Sequence, residues 1–122
     1  MEKILLLGNI ISVAYMTGVI WLIQLVGYPA FSLVGRDVFP QYHASHAFWI
    51  TPVVAPAMIA ELATSVLLLY FVPEGAPKSL LWIGFGLTVT VWASTVFFQI
   101  PAHDRLARGF DPETHSFLVN TN

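Results

Sequence analysis

Three long stretches of the chain carry almost no charge. From Ile4 to Gly35 there is no Asp, Glu, Lys or Arg, from Ser79 to Ala102 there is none, and from Ala44 to Val72 the only one is Glu61. Each exceeds the roughly 20 residues that span a hydrocarbon core. In oil the backbone must satisfy its own hydrogen bonds, so such stretches cross as helices. The pattern predicts helices over about 4–27, 48–72 and 80–100. Pro29 and Pro101 are expected to stop the first and third, because proline lacks the N–H that continues the ladder. Pro52 and Pro56 fall inside the second, where neighbours or water must satisfy the carbonyls they free. Ser79 is the expected cap of the third helix. Ala14 and Gly18 form a small-residue pair at which another helix could approach closely.

Between the spans the pattern changes. Residues 29–47 mix Arg36, Asp37, His43 and His46 with Phe31, Phe39 and Tyr42, and predict an interfacial connector. Pro73–Lys78 reads as a short turn that makes the second and third helices an antiparallel hairpin. Residues 102–122 read as a polar tail. The N-terminus and the 73–78 turn then share one side of the bilayer, and the connector, the tail and all four histidines share the other. Arg36, Arg105 and Arg108 against Lys3 and Lys78 lean the histidine side toward the cytoplasm. The first span follows Lys3 as a signal peptide would. It is too long for a signal core, however, and Gly27-Tyr28-Pro29-Ala30 is a poor cleavage site, so it is read as retained. The expected fold is all-α, a single integral membrane helical bundle with three transmembrane helices.

Composition narrows the function classes. Charged residues make up 10% of the chain and hydrophobic residues 57%, against about 25% charged in a soluble domain. Five scattered Lys and Arg under a net charge of −2 leave no basic field for nucleic acid. The absence of cysteine excludes disulfides, thiolate metal sites and Cys nucleophiles. No phosphate loop or dinucleotide fingerprint is present, and no histidine lies deep in a span as a pigment ligand would. Trp21 and Trp49 fit an aromatic belt on the histidine side and Trp82 one on the other, with Trp92 deeper.

A shift of 72 residues maps Pro29-Ala30, Arg36, Pro40 and His43 onto Pro101-Ala102, Arg108, Pro112 and His115 without a gap. An internal repeat of helix, connector, helix would place the equivalent of the second helix from about Asn120, so that the chain holds three helices of a four-helix design. A truncated chain or another subunit at the fourth position would each leave an apolar flank to be covered. Trp21-x-x-Gln24, Tyr28-Pro29, Tyr42-His43-x-x-His46 and Gln99-x-Pro101-x-His103 together resemble motifs of small bacterial four-helix membrane proteins, similar to the anthrone-oxygenase-like family of unknown function. The resemblance covers most of the chain and implies a multi-pass protein of a bacterial inner membrane. It brings no catalytic residues, and the fourth helix of that family is missing here.

The candidate chemistry lies at the histidine end. His43 and His46, three apart, share a helix face, and His103 enters the same interface. Three imidazoles and a water would suit zinc, copper or iron, as a bare metal ion or as haem, with Asp37, Asp104 or Asp111 available to complete the shell. Against that stand interfacial hydrogen bonding and pH sensing. Glu61, alone in mid-span, is expected to be neutralised, paired or facing a wet cavity. Fifteen residues from His46, or roughly 22 Å of helix, it belongs to a separate feature. Tyr15, Thr88 and Thr90 are its candidate partners among the buried polar residues. Gln24 and Gln99, near the histidine-side helix ends, are expected to hydrogen-bond between helices or to line a pocket.

Two functions compete on this reading. One is a non-catalytic accessory or assembly subunit of a larger membrane complex, partnered by lipid and by other membrane subunits or copies of itself. The other is a membrane-embedded metal- or haem-dependent enzyme acting on an apolar small molecule at the histidine interface. A homodimeric proton-coupled carrier built around Glu61 is a third.

Overall fold

The computed structural model describes residues 1–122. It is all-helical. Three long helices, α1 (Glu2–Phe31), α2 (Phe39–Tyr70) and α3 (Lys78–Leu106), are each long and apolar enough to cross a membrane. A short α4 (Pro112–Thr121) follows. Central α2 packs against both α1 and α3, whereas those two are not packed on each other along their lengths. Only 17 of 122 residues are buried. Leu7, Leu22, Leu25, Phe48, Ile83 and Phe97 all stand more than half exposed, a surface that lipid tails solvate and water does not.

The helices are longer than the prolines suggested. Pro29 and Pro101 stop nothing; each lies inside a continuing helix. Just before each proline the helix widens into a π turn, Ile23–Gly27 in α1 and Thr95–Gln99 in α3. There Tyr28 N–H bonds back to Ile23 O, and Ile100 N–H to Thr95 O, five residues away. A wide turn of this kind takes up a residue that cannot donate. The connector expected over 29–47 is therefore confined to 32–38, its flanks belonging to α1 and α2. The polar tail over 102–122 likewise resolves into the end of α3, a turn and α4. Pro40 and Pro112 occupy the first turns of α2 and α4, where a missing donor is harmless.

Three smaller expectations change. Pro77, with ψ 120°, precedes α3 as its cap, and Ser79 lies within the first turn. The turn before it reverses at Gly75, whose φ of 77° only glycine adopts freely. The close helix approach falls at Gly8, where a Cβ would meet Thr64 at 3.7 Å, while Gly18 faces open space.

The π turns obey the 72-residue shift that relates the proline motifs, so the relation between the two halves extends to backbone conformation. The equivalent of α2 begins at Pro112 rather than near Asn120, because α2 itself begins at Phe39 rather than Phe48. The apolar core gathers at the histidine end: Ile23, Tyr28, Phe31, Phe39, Ala102, Leu106 and Leu118 form one buried cluster. There α4 folds back and closes the ends of α1 and α3.

Candidate functional site

The four histidines converge around one phenyl ring. Phe31, fully buried in the last turn of α1, has its centroid 5.0 Å from the His46 ring, 5.7 Å from His43, 6.3 Å from His115 and 6.4 Å from His103. Three helices supply these rings: α2 gives His43 and His46, α3 gives His103 and α4 gives His115. Phe39 packs edge-on against Phe31, and Phe110 edge-on against Phe39. The Arg36 guanidinium lies 3.8 Å over the Phe110 ring and covers the outer end.

The three proposed metal ligands are thus neighbours, but both nitrogens of His103 and one of His43 are already engaged. His43 Nε2 and His103 Nδ1 are 3.0 Å apart and share a hydrogen bond. The other ring nitrogen of His103 meets the Tyr28 hydroxyl at 3.3 Å. His46 stacks on His103 with ring centroids 6.3 Å apart. No three His, Asp or Glu side chains stand so as to hold a metal ion. His115 Nε2 lies 2.7 Å from the Tyr28 carbonyl and pins α4 to α1. His43 is 2% exposed, and its Nδ1 is buried without a partner.

Gln24 and Gln99 do not bond to one another's helices; both reach the end of α4. Gln24 Nε2 donates to Val119 O at 2.8 Å, and Gln99 Nε2 to Thr121 Oγ1 at 3.3 Å. The side chain of Asn122 closes the set: its Nδ2 donates to Gln24 Oε1 at 3.1 Å, and its Oδ1 accepts from Tyr28 Oη at 3.5 Å. Carbonyls at a helix end lack intrahelical partners; Gln24 serves one of them, while Gln99 meets a hydroxyl of the same turn and leaves its own buried Oε1 without a partner. At its other end α4 is capped by Asp111, whose carboxylate accepts from Thr114 N at 2.9 Å and from the Thr114 hydroxyl. These bonds hold the Asp111 carboxyl below the usual range, the side-chain bond foremost.

Glu61 belongs to a second polar cluster, as its distance from His46 implied. Asn9 Nδ2 donates to Thr64 Oγ1 and Ser65 Oγ, both at 3.0 Å, and to Glu61 O at 3.3 Å. Ser65 Oγ and Thr88 Oγ1 are 3.4 Å apart, and Thr88 Oγ1 donates to Glu61 Oε1 at 3.2 Å. Of the three partners considered for Glu61, Thr88 is the one the structure supplies. Tyr15 and Thr90, expected to be buried, are exposed. The Tyr15 hydroxyl donates instead to Val53 O at 3.1 Å, beside the carbonyl of Pro52 that Pro56 leaves free. Thr90 returns its hydroxyl to Gly86 O. The early start of α2 explains the change: it slides Glu61 past Tyr15 to the level of Asn9, about 9 Å along the axis.

Beside His46 a shallow groove of about 340 Å³ runs along α2, lined by Tyr42, Ser45, His46, Trp49, Ile50 and Val53. No known family model, curated protein or solved structure matches the chain.

Proposed function

We propose that this chain is a non-catalytic subunit of a larger membrane assembly, lying in a bacterial inner membrane with its histidine end toward the cytoplasm. The observation that carries the reading is the open architecture. α2 holds α1 and α3 apart, and α4 bridges them only at one end, so most of each long helix faces outward. Added Cβ atoms at Gly18, Gly84 and Gly86 would meet nothing within the chain. Small residues on exposed helix faces are where other membrane helices approach. The likeness to small four-helix bacterial membrane proteins is part of this reading. Its support is the 72-residue relation, which now includes both π turns. On this view the histidine cluster is a latch that fixes the ends of the helices. The enzyme alternative retains one specific support, the bare nitrogen of His43.

The test is the native mass of the chain extracted from its own membrane in a mild detergent. Stoichiometric co-migration with other membrane polypeptides is expected, and Gly18→Leu or Gly86→Leu should release it without unfolding it. Recovery solely as a single chain would overturn the reading, and assembly only with copies of itself would replace the partner by self-association. Elemental analysis of the purified protein separates the alternative: less than one equivalent of metal and no chromophore removes the metal or haem enzyme.

A further inference from the structure

The hydrogen bonds at the histidine end have a polarity that can be followed atom by atom. Val119 O can only accept, so Gln24 must turn its Nε2 toward it and its Oε1 away. Gln24 Oε1 accepts from Asn122 Nδ2, which turns Asn122 Oδ1 toward Tyr28. Tyr28 Oη lies 3.5 Å from that Oδ1 and 3.3 Å from His103 Nε2; with its proton turned toward Asn122, its oxygen accepts from His103 Nε2–H. His103 Nδ1 then carries a lone pair and accepts from His43 Nε2–H. In this polarity His43 is a neutral imidazole with its proton on Nε2 and a bare lone pair on Nδ1. That Nδ1 is one of two buried side-chain atoms without a partner, the other being Gln99 Oε1. Buried acceptors in native proteins are nearly always satisfied, and leaving one bare is unfavourable by about 1–3 kcal/mol.

We propose that His43 Nδ1 is a binding site for a lipophilic alcohol, one hydroxyl donor on an apolar body, entering from the hydrocarbon side. The surroundings select this class. Nδ1 offers a single acceptor beside the rings of Phe31 and Phe39, whereas a buried water needs two to four polar partners. The groove on α2 begins at Tyr42 and His46, which flank His43 in the helix, and continues over Trp49, Ile50 and Val53, a track for an apolar body. The chain from Gln24 through Asn122, Tyr28 and His103 keeps His43 in its accepting form. The inference does not depend on whether the protein is a subunit.

The experiment uses the full chain in detergent micelles with two fluorinated probes, 2,2,2-trifluoroethanol and its methyl ether, which lacks the donor. Fluorine NMR should show saturable binding of the alcohol about tenfold tighter than the ether, the discrimination of one buried hydrogen bond. Nitrogen-15 spectra should show His43 and His103 neutral and protonated on Nε2, with His43 Nδ1 shifting on addition of the alcohol. His43→Phe keeps the ring volume and should bind both probes equally. Tyr28→Phe removes the committed acceptor and should populate the Nδ1–H form of His43. Equal affinity of the two probes for the unaltered protein, or a proton on His43 Nδ1, overturns the proposal, and neither result requires a variant to fold.

Discussion

Replacing Asn9 by Leu should loosen all three long helices at once, because this carboxamide is where α1 joins the polar chain shared by α2 and α3. It makes three donor contacts, two at 3.0 Å and one at 3.3 Å, but an amide has two protons, so these amount to about two hydrogen bonds. Interhelical hydrogen bonds in membranes average about 0.6 kcal/mol and reach about 1.7. The expected loss is therefore about 1–2 kcal/mol, with the branching and number of side-chain heavy atoms kept. The contacts run on from there: Asn9 donates to Ser65, Ser65 and Thr88 share a hydrogen bond between their hydroxyls, and the Thr88 hydroxyl lies within reach of a Glu61 carboxylate oxygen and of Gly84 O. Thr88→Val should weaken the same unit, and the pair should couple through Ser65 by about 0.5 kcal/mol or more. Thr17→Val is the control: its hydroxyl only returns to Val13 O in its own helix, so its removal should change stability by a few tenths of a kcal/mol. Reversible unfolding in mixed micelles, or steric trapping in bilayers, measures each variant. A neutral Asn9→Leu, or strict additivity with Thr88→Val, would refute the shared chain.

Phe31→Ala should cost about 3–5 kcal/mol and disperse the histidine resonances, since a fully buried ring at the centre of four imidazoles is lost; a cost below about 1 kcal/mol would show that the rings do not depend on it. A π turn is one extra residue in an α-helix, so deleting Val96 together with Pro101→Ala should leave the His43–His103 bond in place. Deleting Val96 alone returns Pro101 to ordinary α spacing and should destabilise by about 3 kcal/mol; proton–proton contacts between the two rings, with unfolding free energies, check both. The folded-state Asp111 carboxyl lies below its unfolded value near 3.9, so its capping contribution is complete above that value and is lost as pH falls through the lower, folded one. The Thr114 amide resonance should follow that titration, and a midpoint at the ordinary carboxylate value would show that the cap bond is absent in solution.

The three spans were legible because transfer of charge into oil is the strongest term acting on such a chain, and its absence over 20 residues admits few readings. The shared side of the four histidines followed from alternation alone. Helix ends were not legible, because proline was read as a stop. Pro29 and Pro101 remove a donor, but a π turn one step earlier accommodates the loss, and nothing in the residues 23–27 or 95–99 announces it. A second error came from polarity: residues 39–47 were taken for connector, and an α2 begun nine residues late put Glu61 opposite Tyr15 instead of Asn9. Asn9 itself carried a usable signal, a lone carboxamide in an apolar span, of the same kind that singled out Glu61. Tyr28 gave no sign of its place between His103 and Asn122, since that contact depends on where α4 folds.

The repeat and the histidine cluster are two views of one geometric fact. A wide turn before a proline, a short loop and a second proline opening the next helix are common to both halves, and each half then carries a histidine in the second turn of that helix, His43 in α2 and His115 in α4. The two halves share one apolar core but differ in chemistry. Phe31 of the first half answers to His103 of the second under the same shift of 72 residues. The first half thus contributes the apolar ring and the second the imidazole, and each fills a place beside the other. His115 closes on the backbone carbonyl of Tyr28, while His43 closes on the His103 ring and leaves one nitrogen bare. A symmetric pair would have had two closed histidines or two open ones. The asymmetry at Phe31 and His103 is what leaves His43 Nδ1 bare in the apolar core, and any function of this end of the molecule must account for it together with the equally unpartnered Gln99 Oε1.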